Sequence, residues 1–241
     1  MFASLILVGT VHQDPLGTIR LSEFFQAHGP DCILLELSRY GLDFREKNQV
    51  LLHRALNRNV RQVSRESGIC LKALMKHPQV ASMRRQMSLP FEFRASRHYS
   101  LATGTPVFLI DRSHFSRGWI RLWPELISPR NLHGLVAGVP QPPTPFSLRY
   151  EQAARLMGMS TPWHCRNVCT VSSSSEHEWV KRERHLARKT ARILANRNPR
   201  RPVFVGGWEH LVRGGHRPTL RDYLGVQEHQ CTLLDRVSAR S

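Results

Sequence analysis

The segment Leu5-Ile-Leu-Val-Gly-Thr-Val-His-Gln-Asp14 is an apolar run that breaks at a glycine and reaches a histidine three residues later. The run from Leu5 to Val8 predicts a strand that is buried on both faces. Strands of this kind belong to parallel sheets, in which ligands bind beyond the carboxyl ends of the strands. The segment therefore predicts a buried parallel strand that delivers His12 to the sheet edge where sites form.

Four further segments share this apolar character, and helical segments separate them. They predict strands at Cys32–Glu36, Val107–Asp111, Pro202–Gly206 and Thr232–Leu234, with helices at 17–27, 44–86 and 175–196. Strands that alternate with helices predict an α/β fold with a central, mostly parallel sheet flanked by helices. We expect one domain over residues 1–241, within which the segment 113–175 forms a variable, helical and loop-rich insertion or lid. Its least regular part is the Pro- and Ser-containing stretch 138–175, with a short helix near 148–158.

A second stretch, Val203-Phe-Val-Gly-Gly-Trp-Glu-His-Leu211, repeats the pattern of the first: an apolar strand followed by Gly-x-x-His. Glycine lets the backbone turn sharply at the end of a strand. Two such turns from neighbouring strands would bring the imidazoles of His12 and His210 into one cleft. A single Gly-x-x-His is a weak signal, whereas a pair that closes two apolar strands is considerably stronger.

Charged side chains appear where apolar patterns predict burial. Glu36 ends the second predicted strand, and a buried carboxylate must be paired or must bind a metal or substrate. Its partner could be Arg39 or another core arginine. Asp111 and Arg112 close the third strand, and an alternative role for Asp111 is to cap the following turn. The remaining charged candidates lie on the long helix: Glu183, Arg184 and Arg188.

The chain is strongly basic, with a net charge of +17, and 30 of its 35 basic residues are arginine. Arginine suits phosphate contacts, so the arginine-rich region 45–97 makes a nucleic-acid partner one explanation of the charge, and a codon bias toward arginine is the alternative explanation.

No apolar run approaches the roughly 18 residues of a membrane span. Five scattered cysteines indicate a reducing cytosol. There is no Walker loop or nucleophile elbow, so covalent Ser or Cys catalysis has no support.

The ordered motifs together resemble the TraB/PrgY family, in the wider group that includes TIKI proteases, GumN-like proteins, erythromycin esterases and ChaN-like haem-binding proteins. The motifs are Gly9-Thr-Val-His12, Glu36-Leu-Ser-Arg39, Leu109-Ile-Asp-Arg112, Glu183-Arg-x-x-Ala187 and Gly207-x-x-His210. The resemblance implies an α/β fold with a hydrolytic cleft at the strand ends. In TIKI-like members the two Gly-x-x-His motifs go with divalent-metal-dependent peptide cleavage. In esterase-like members a histidine paired with a glutamate acts as a base without metal.

These observations lead us to expect a cytosolic hydrolase that acts on a small molecule or a peptide. The expected metal ligands are His12, Glu36 and His210, which would bind Mn²⁺ or Zn²⁺ and lower the pKa of a bound water. Arg184 would face developing negative charge, and Glu183 or Asp111 would orient a ligand or handle protons. The residues expected to bind substrate are Arg39, Asp111, Arg112 and Arg188.

Two alternatives stay open at this stage. One is a metal-free hydrolase in which His12, steadied by Glu36, is the general base. The other is a binding protein without catalysis, which would carry haem or a metal through the same histidines, or nucleic acid through its arginines.

Overall fold

The structure, a computed structural model, describes residues 4–138, 144–158, 173–213 and 217–240. The strands are β1 to β5: Ile6–Thr10, Cys32–Leu35, Val107–Leu109, Pro202–Gly207 and Cys231–Leu233. The helices are α1 to α11: Gly17–His28, Arg39–Ser67, Leu71–Lys76, Pro78–Met87, Phe91–Thr103, Ser113–Arg121, Trp123–Leu126, Pro129–Ala137, Phe146–Gly158, Ser173–Arg197 and Leu220–Leu224. Short 3₁₀ segments cover Trp208–Leu211, Glu228–Gln230 and Leu234–Arg240.

The five strands form one parallel sheet in the order β3-β2-β4-β1-β5. This confirms the predicted α/β fold with a parallel sheet flanked by helices. The two strands that end in Gly-x-x-His, β1 and β4, lie side by side although about two hundred residues separate them in the chain. Their pairing register aligns Gly9 with Gly206 and Thr10 with Gly207.

Helix α10 covers the sheet through a narrow apolar face. Leu186, Ala187 and Leu194 pack in one buried cluster with Leu7 and Phe204 of the central strands. Burying a side chain of this size contributes about 1.5–3 kcal/mol, so the cluster holds α10 firmly against the sheet. The N-terminal half of α10 is thereby fixed beside the site described below.

The chain divides into two compact units. Unit 1 comprises Met1–Ser38, Phe91–Arg112 and Pro145–Ser241, and it contains the whole sheet. Unit 2 comprises Arg39–Pro90 and Ser113–Thr144, and its described part is helical, with a core around Leu56, Val60 and Trp123. The single domain that we expected from the sequence stays a prediction.

The described part of the segment 113–175 is largely helical, which agrees with the helical part of the expected insertion and with the helix expected near 148–158. Three helices fill residues 113–137 and a fourth fills 146–158. The apolar residues Ile120, Trp123, Ile127 and Leu132 are buried at spacings of three to five residues, which suits helices. Residues 139–143 and 159–172 lie outside the described residues, so a lid role for the segment stays a prediction.

None of the helices in the described ranges is long and apolar enough to cross a membrane.

Candidate active site at the carboxyl edge of the sheet

The candidate site lies in unit 1, where β1, β2 and β4 end next to one another. The register of β1 and β4 places Thr10 opposite Gly207, so the two Gly-x-x-His turns are offset by one residue. His12 is therefore the counterpart of Glu209, and His210 lies one residue further along its own turn. This offset gives the two histidines different surroundings.

His12 is held by a glutamate from α5. Its Nδ1 lies 2.9 Å from Oε1 of Glu92, which is buried, and the Thr10 hydroxyl donates to the same oxygen at 2.9 Å. Because an ionised carboxylate only accepts hydrogen bonds, Nδ1 carries the proton in this pair. Glu92 therefore fixes the orientation of the ring and leaves Nε2 as its second, outward nitrogen.

The backbone on either side of His12 is also anchored. The Val11 N–H donates to the Tyr150 hydroxyl at 3.2 Å, and that hydroxyl donates to Asp14 at 3.2 Å. Gln13, directly after the histidine, has a φ of 69°, in the left-handed region that residues other than glycine seldom adopt. Tyr150 of α9 therefore holds the turn that presents His12.

The Nε2 side of His12 faces Gly207. A Cβ atom added to Gly207 would lie 3.0 Å from His12 Nε2 and 2.6 Å from Glu209 Oε2, and 3.5 Å from Glu36 Oε2. A side chain at this position would therefore occupy the space between the three groups. The His12 side chain is 54% exposed, whereas Gly207 is buried, so the ring lies at the border between solvent and the packed end of β4.

The pKa of His12 is raised from 6.5 to about 9. Burial of the ring favours the neutral form, but the hydrogen bond and charge of Glu92 outweigh it, and the charges of Glu36 and Glu209 add to them. The half-exposed side chain in the structure shows that this burial is incomplete. The imidazolium is therefore the prevailing form of His12 at neutral pH.

His210 is enclosed between two carboxylates. Its Nε2 lies 2.9 Å from Glu36 Oε1, its Nδ1 lies 2.6 Å from Glu183 Oε1, and its side chain is 2% exposed. Although burial opposes the charged form, Glu183 and Glu36 raise the pKa of His210 well above its ordinary value. The same contacts lower the pKa of Glu36 well below its ordinary value, against the effect of its burial.

Glu36 also fixes the backbone at the end of β4, because its Oε2 accepts a hydrogen bond of 2.6 Å from the Gly207 N–H. The ring of His210 stacks on Trp179 of α10, at 5.4 Å between centroids and 1° between planes. Glu183 in turn accepts from the Leu220 N–H at 2.7 Å, at the start of α11. Glu36, Glu183 and His210 thus connect β2, α10, α11 and the turn after β4.

Arg182 completes this buried cluster. It contacts Glu36 Oε1 and binds Asp111 through two hydrogen bonds, Nε to Oδ1 at 2.9 Å and Nη2 to Oδ2 at 2.8 Å. Its side chain is only 12% exposed, so the guanidinium is largely removed from water. Charge-assisted, bidentate pairs of this kind are among the stronger hydrogen bonds in proteins. Arg182 therefore joins the ends of β2 and the segment after β3 to α10.

Arg184, an arginine of the long helix that was also a candidate partner of Glu36, does not contact it, and its expected role toward developing negative charge stays a prediction. Arg184 is exposed, and its guanidinium lies over the Tyr223 ring at 5.9 Å. Positions 182 and 184 lie about 100° to either side of Glu183 on the helix. Both residues therefore lie at the edges of the buried face of α10. Arg182 is on the side of the helix that meets the strand ends. The role expected for Arg184 in binding Glu36 falls to Arg182.

The other residues expected to bind substrate are scattered. Asp111 is buried in the cluster, and Arg112 lies 3.9 Å from Glu178. Arg188 is exposed on α10. Arg39 belongs to unit 2, where it pairs with Asp43 on its own helix and has a side chain that is 77% exposed.

The expected metal ligands His12, Glu36 and His210 gather at this edge, but two of them have their polar atoms already engaged. The His210 nitrogens lie 2.9 and 2.6 Å from carboxylate oxygens, although Nδ1 and Glu183 Oε1 are not aligned for a hydrogen bond, and both oxygens of Glu36 accept hydrogen bonds. Over the described ranges, no group of three or more His, Cys, Asp or Glu side chains is arranged to hold a metal ion. This set of three therefore does not fit a metal in the arrangement seen.

The sequence interpretation missed two residues of the site, Glu92 and Arg182. Glu92 had one available signal, since it lies between Phe91 and Phe93, both of them buried. A carboxylate between two core aromatics needs a partner for the same reason as Glu36. Arg182 had no such signal, because the helical pattern does not tell which border of the apolar face meets the sheet edge.

Comparisons with known proteins match this chain to no family model, no curated protein and no solved structure.

Proposed function

We propose that this protein is a hydrolase in which His12 activates a water molecule beside Gly207. The observation that carries the proposal is the pair of His12 and Glu92, with Nδ1 held at 2.9 Å from the carboxylate, Nε2 next to Gly207 and the side chain 54% exposed. A carboxylate that fixes one imidazole nitrogen and leaves the other to exchange protons is the usual arrangement of a catalytic histidine. The proposal retains His12 as base and replaces Glu36 with Glu92 as its partner.

In this proposal Glu36, Glu183, Arg182 and His210 are positioning residues. Their charges satisfy one another out of contact with water, and Glu36 holds the Gly207 N–H. The cluster therefore keeps the turn after β4 at a fixed distance from His12. Of the predicted catalytic residues that gather at this edge, His12 alone has a substantially exposed side chain, at 54% against 5% or less for Glu36, Glu183 and His210.

A divalent cation, Mn²⁺ or Zn²⁺, is the second candidate. His12 Nε2, Glu209 Oε2 and Glu36 Oε2 surround Gly207, and imidazole and carboxylate groups are suitable donors for these ions. Because no described group of three such side chains is arranged to hold a metal, and because Glu36 Oε2 already accepts from the Gly207 N–H, this version requires the side chains to rearrange on binding. It replaces His210 by Glu209 in the expected ligand set, and the metal would supply Lewis-acid activation of water.

The test uses a panel of p-nitrophenyl esters and short chromogenic peptides, with His12→Gln, Glu92→Gln and the surface control Glu151→Gln. We expect His12→Gln to lower the hydrolysis rate by roughly 10²–10⁴-fold, as loss of a general base does. Above pH 9, where His12 is deprotonated in both proteins, Glu92→Gln should lower the rate less than His12→Gln does, and Glu151→Gln should not change it. Equal rates for the wild type and His12→Gln on every substrate that is turned over would overturn the proposal.

Chelation separates the two versions. The metal-free version predicts that dialysis against a chelator leaves the rate unchanged. The metal version predicts a loss of the hydrolysis rate that added Mn²⁺ or Zn²⁺ reverses, and a similar loss of rate in Glu209→Gln.

We also propose, from the cysteine pattern of the sequence, that the protein works in the cytosol, and that its substrate is a small molecule or peptide.

A further inference from the structure

The second unit carries an unusual concentration of positive charge. Residues 39–90 and 113–144 contain fourteen lysines and arginines against four acidic residues, a net charge of +10 on 84 residues. The other 157 residues of the chain carry the remaining +7. A compositional preference for arginine explains a high total, but it does not explain why the excess collects in the smaller unit.

Within unit 2, four arginines of α2 form one line, which we call the arginine stripe: Arg54, Arg58, Arg61 and Arg65. Their spacing of four, three and four residues places them within about 60° of one another on the helix and along about 16 Å of its axis. The buried residues Leu56, Val60 and Val63 lie on the opposite side. The stripe therefore points directly away from the core of unit 2.

The four arginines of the stripe make no contact that would stabilise the described part of the fold. All four are exposed, and none makes an ion pair, hydrogen bond or ring contact with any residue that the structure describes. Helix α10, the other long basic helix, differs: five of its lysine and arginine side chains contact acidic, carbonyl or aromatic groups of unit 1, namely Lys181, Arg182, Arg184, Lys189 and Arg197.

The arrangement also opposes helix stability. Like charges three or four residues apart destabilise a helix, and the stripe contains three such pairs in succession. No acidic residue interrupts the sequence from Lys47 to Arg65, so no carboxylate of this stretch offsets the repulsion. Such a row is expected where a polyanion supplies the missing negative charge.

We propose that the arginine stripe binds the phosphate backbone of a nucleic-acid duplex. Arginine forms bidentate hydrogen bonds with phosphate oxygens, and a straight row on a rigid helix matches a regularly spaced strand of phosphates. No Phe, Tyr or Trp occurs in α2 after Phe44. Single strands are bound chiefly by stacking bases on aromatic rings, so this surface favours a duplex read through its backbone, without sequence preference.

The test compares two four-fold variants of the full chain that remove the same charge. The stripe variant changes Arg54, Arg58, Arg61 and Arg65 to Gln, and the control variant changes four exposed arginines of unit 1, namely Arg155, Arg188, Arg192 and Arg200, to Gln. Glutamine has nearly the helix propensity of arginine, so α2 should persist, which circular dichroism and thermal melting verify. Binding is measured by fluorescence anisotropy on labelled 30-base-pair duplexes of random sequence, one of DNA and one of RNA.

We expect duplex binding by the wild type to weaken by roughly 100-fold between 50 and 200 mM salt, since four phosphate contacts release about 3.6 counterions. The stripe variant should lose most of this affinity and of its salt slope, whereas the control variant should retain both. The DNA and RNA arms tell which duplex binds more tightly.

Three outcomes would overturn the proposal: no duplex binding at 50 mM salt, equal losses in the two variants, or tighter binding of a random single strand than of either duplex. Anionic phospholipid vesicles provide the remaining comparison. If the stripe variant lost vesicle binding but retained duplex binding, the stripe would be a membrane surface and not a nucleic-acid surface. A third variant, His12→Gln, should bind duplexes like the wild type, because the proposal assigns no part of duplex binding to the proposed active site.

Discussion

At the scale of single residues, the state of His12 depends on Glu92. Because Glu92 is the main cause of the raised pKa of His12, Glu92→Gln should move that pKa from about 9 back toward 6.5. NMR titration of the imidazole Cε1–H signal measures this directly and needs no substrate. Glu151→Gln, an exposed change elsewhere in unit 1, is the matched control and should leave the His12 pKa near 9.

The same raised pKa predicts the pH profile of the proposed hydrolase. A base must be deprotonated to act, so kcat/KM should rise about ten-fold per pH unit below pH 9 and level off above it. In Glu92→Gln the plateau should begin at a lower pH. A rate that instead falls as the pH rises through 9 would assign His12 the role of an acid and contradict the proposed one.

Gly206 lies where the surrounding atoms leave no room for a side chain. A Cβ at this position would lie 2.6 Å from the Phe204 ring and 2.6 Å from Glu36 Oε2, both in the buried interior. Gly206→Ala should therefore lower the free energy of unfolding by about 1–3 kcal/mol, as overpacking does. Urea unfolding measures it, with Gly118→Ala as control, since nothing lies within 4 Å of a Cβ there. Equal effects of the two changes would contradict the close packing at β4.

The residue types of the site were largely predictable, whereas their roles were not. Two glycine turns at the ends of apolar strands correctly indicated that His12 and His210 approach the same edge near Glu36. The one-residue offset between β1 and β4 depends on how the strands pair, and the apolar runs of both strands allow either register. That offset makes His12 half-exposed and His210 buried, a difference that the repeated Gly-x-x-His motif does not suggest.

At the scale of elements, α10 shows a similar limit. Its buried face was predictable in part from the 3.6-residue spacing, which places Glu183 and Arg184 on the borders of that face. In the structure Glu183 is fully buried and Arg184 is exposed. The two borders of that face carry Arg182 and Arg184, which the sequence alone cannot distinguish. Only the packing of α10 on the sheet determines that Arg182 meets Glu36 and Asp111.

A pair of variants tests this assignment. Arg182→Met removes the cation that lies between two buried carboxylates, and it should lower the free energy of unfolding by about 3–5 kcal/mol, the usual cost of breaking a buried ion pair. Arg184→Met removes an exposed guanidinium above Tyr223 and should cost no more than about 1 kcal/mol. Chemical unfolding of both variants gives the comparison. A larger loss of unfolding free energy in Arg184→Met than in Arg182→Met would contradict the assignment of Arg182 as the residue that bridges Glu36 and Asp111.

At the scale of the whole molecule, pH acts on stability through two opposing effects. The net charge of +17 falls as the pH rises toward the isoelectric point near 11, so self-repulsion alone would make the protein more stable in alkali. The histidines of the site act in the other direction. Their folded pKa values lie above the unfolded value near 6.5, so their contribution is complete below pH 6.5 and is lost as the pH rises through the folded values. Glu36 behaves conversely: its lowered pKa gives a contribution that is present above about 4.5 and lost in acid.

Ionic strength separates the two effects, because salt screens exposed charges much more than buried ones. At 0.5 M salt the screening length is roughly 4 Å, which suppresses repulsion among surface arginines but leaves the His210 cluster largely intact. We therefore expect the free energy of unfolding at 0.5 M salt to fall between pH 7 and 9.5. His12→Asn should remove on the order of 1 kcal/mol of that fall, a small share because half of the His12 side chain is exposed and screened. Urea unfolding at half-unit steps of pH measures the curve. A free energy that rises steadily over this range at 0.5 M salt would mean that the charge of His210 does not stabilise the fold.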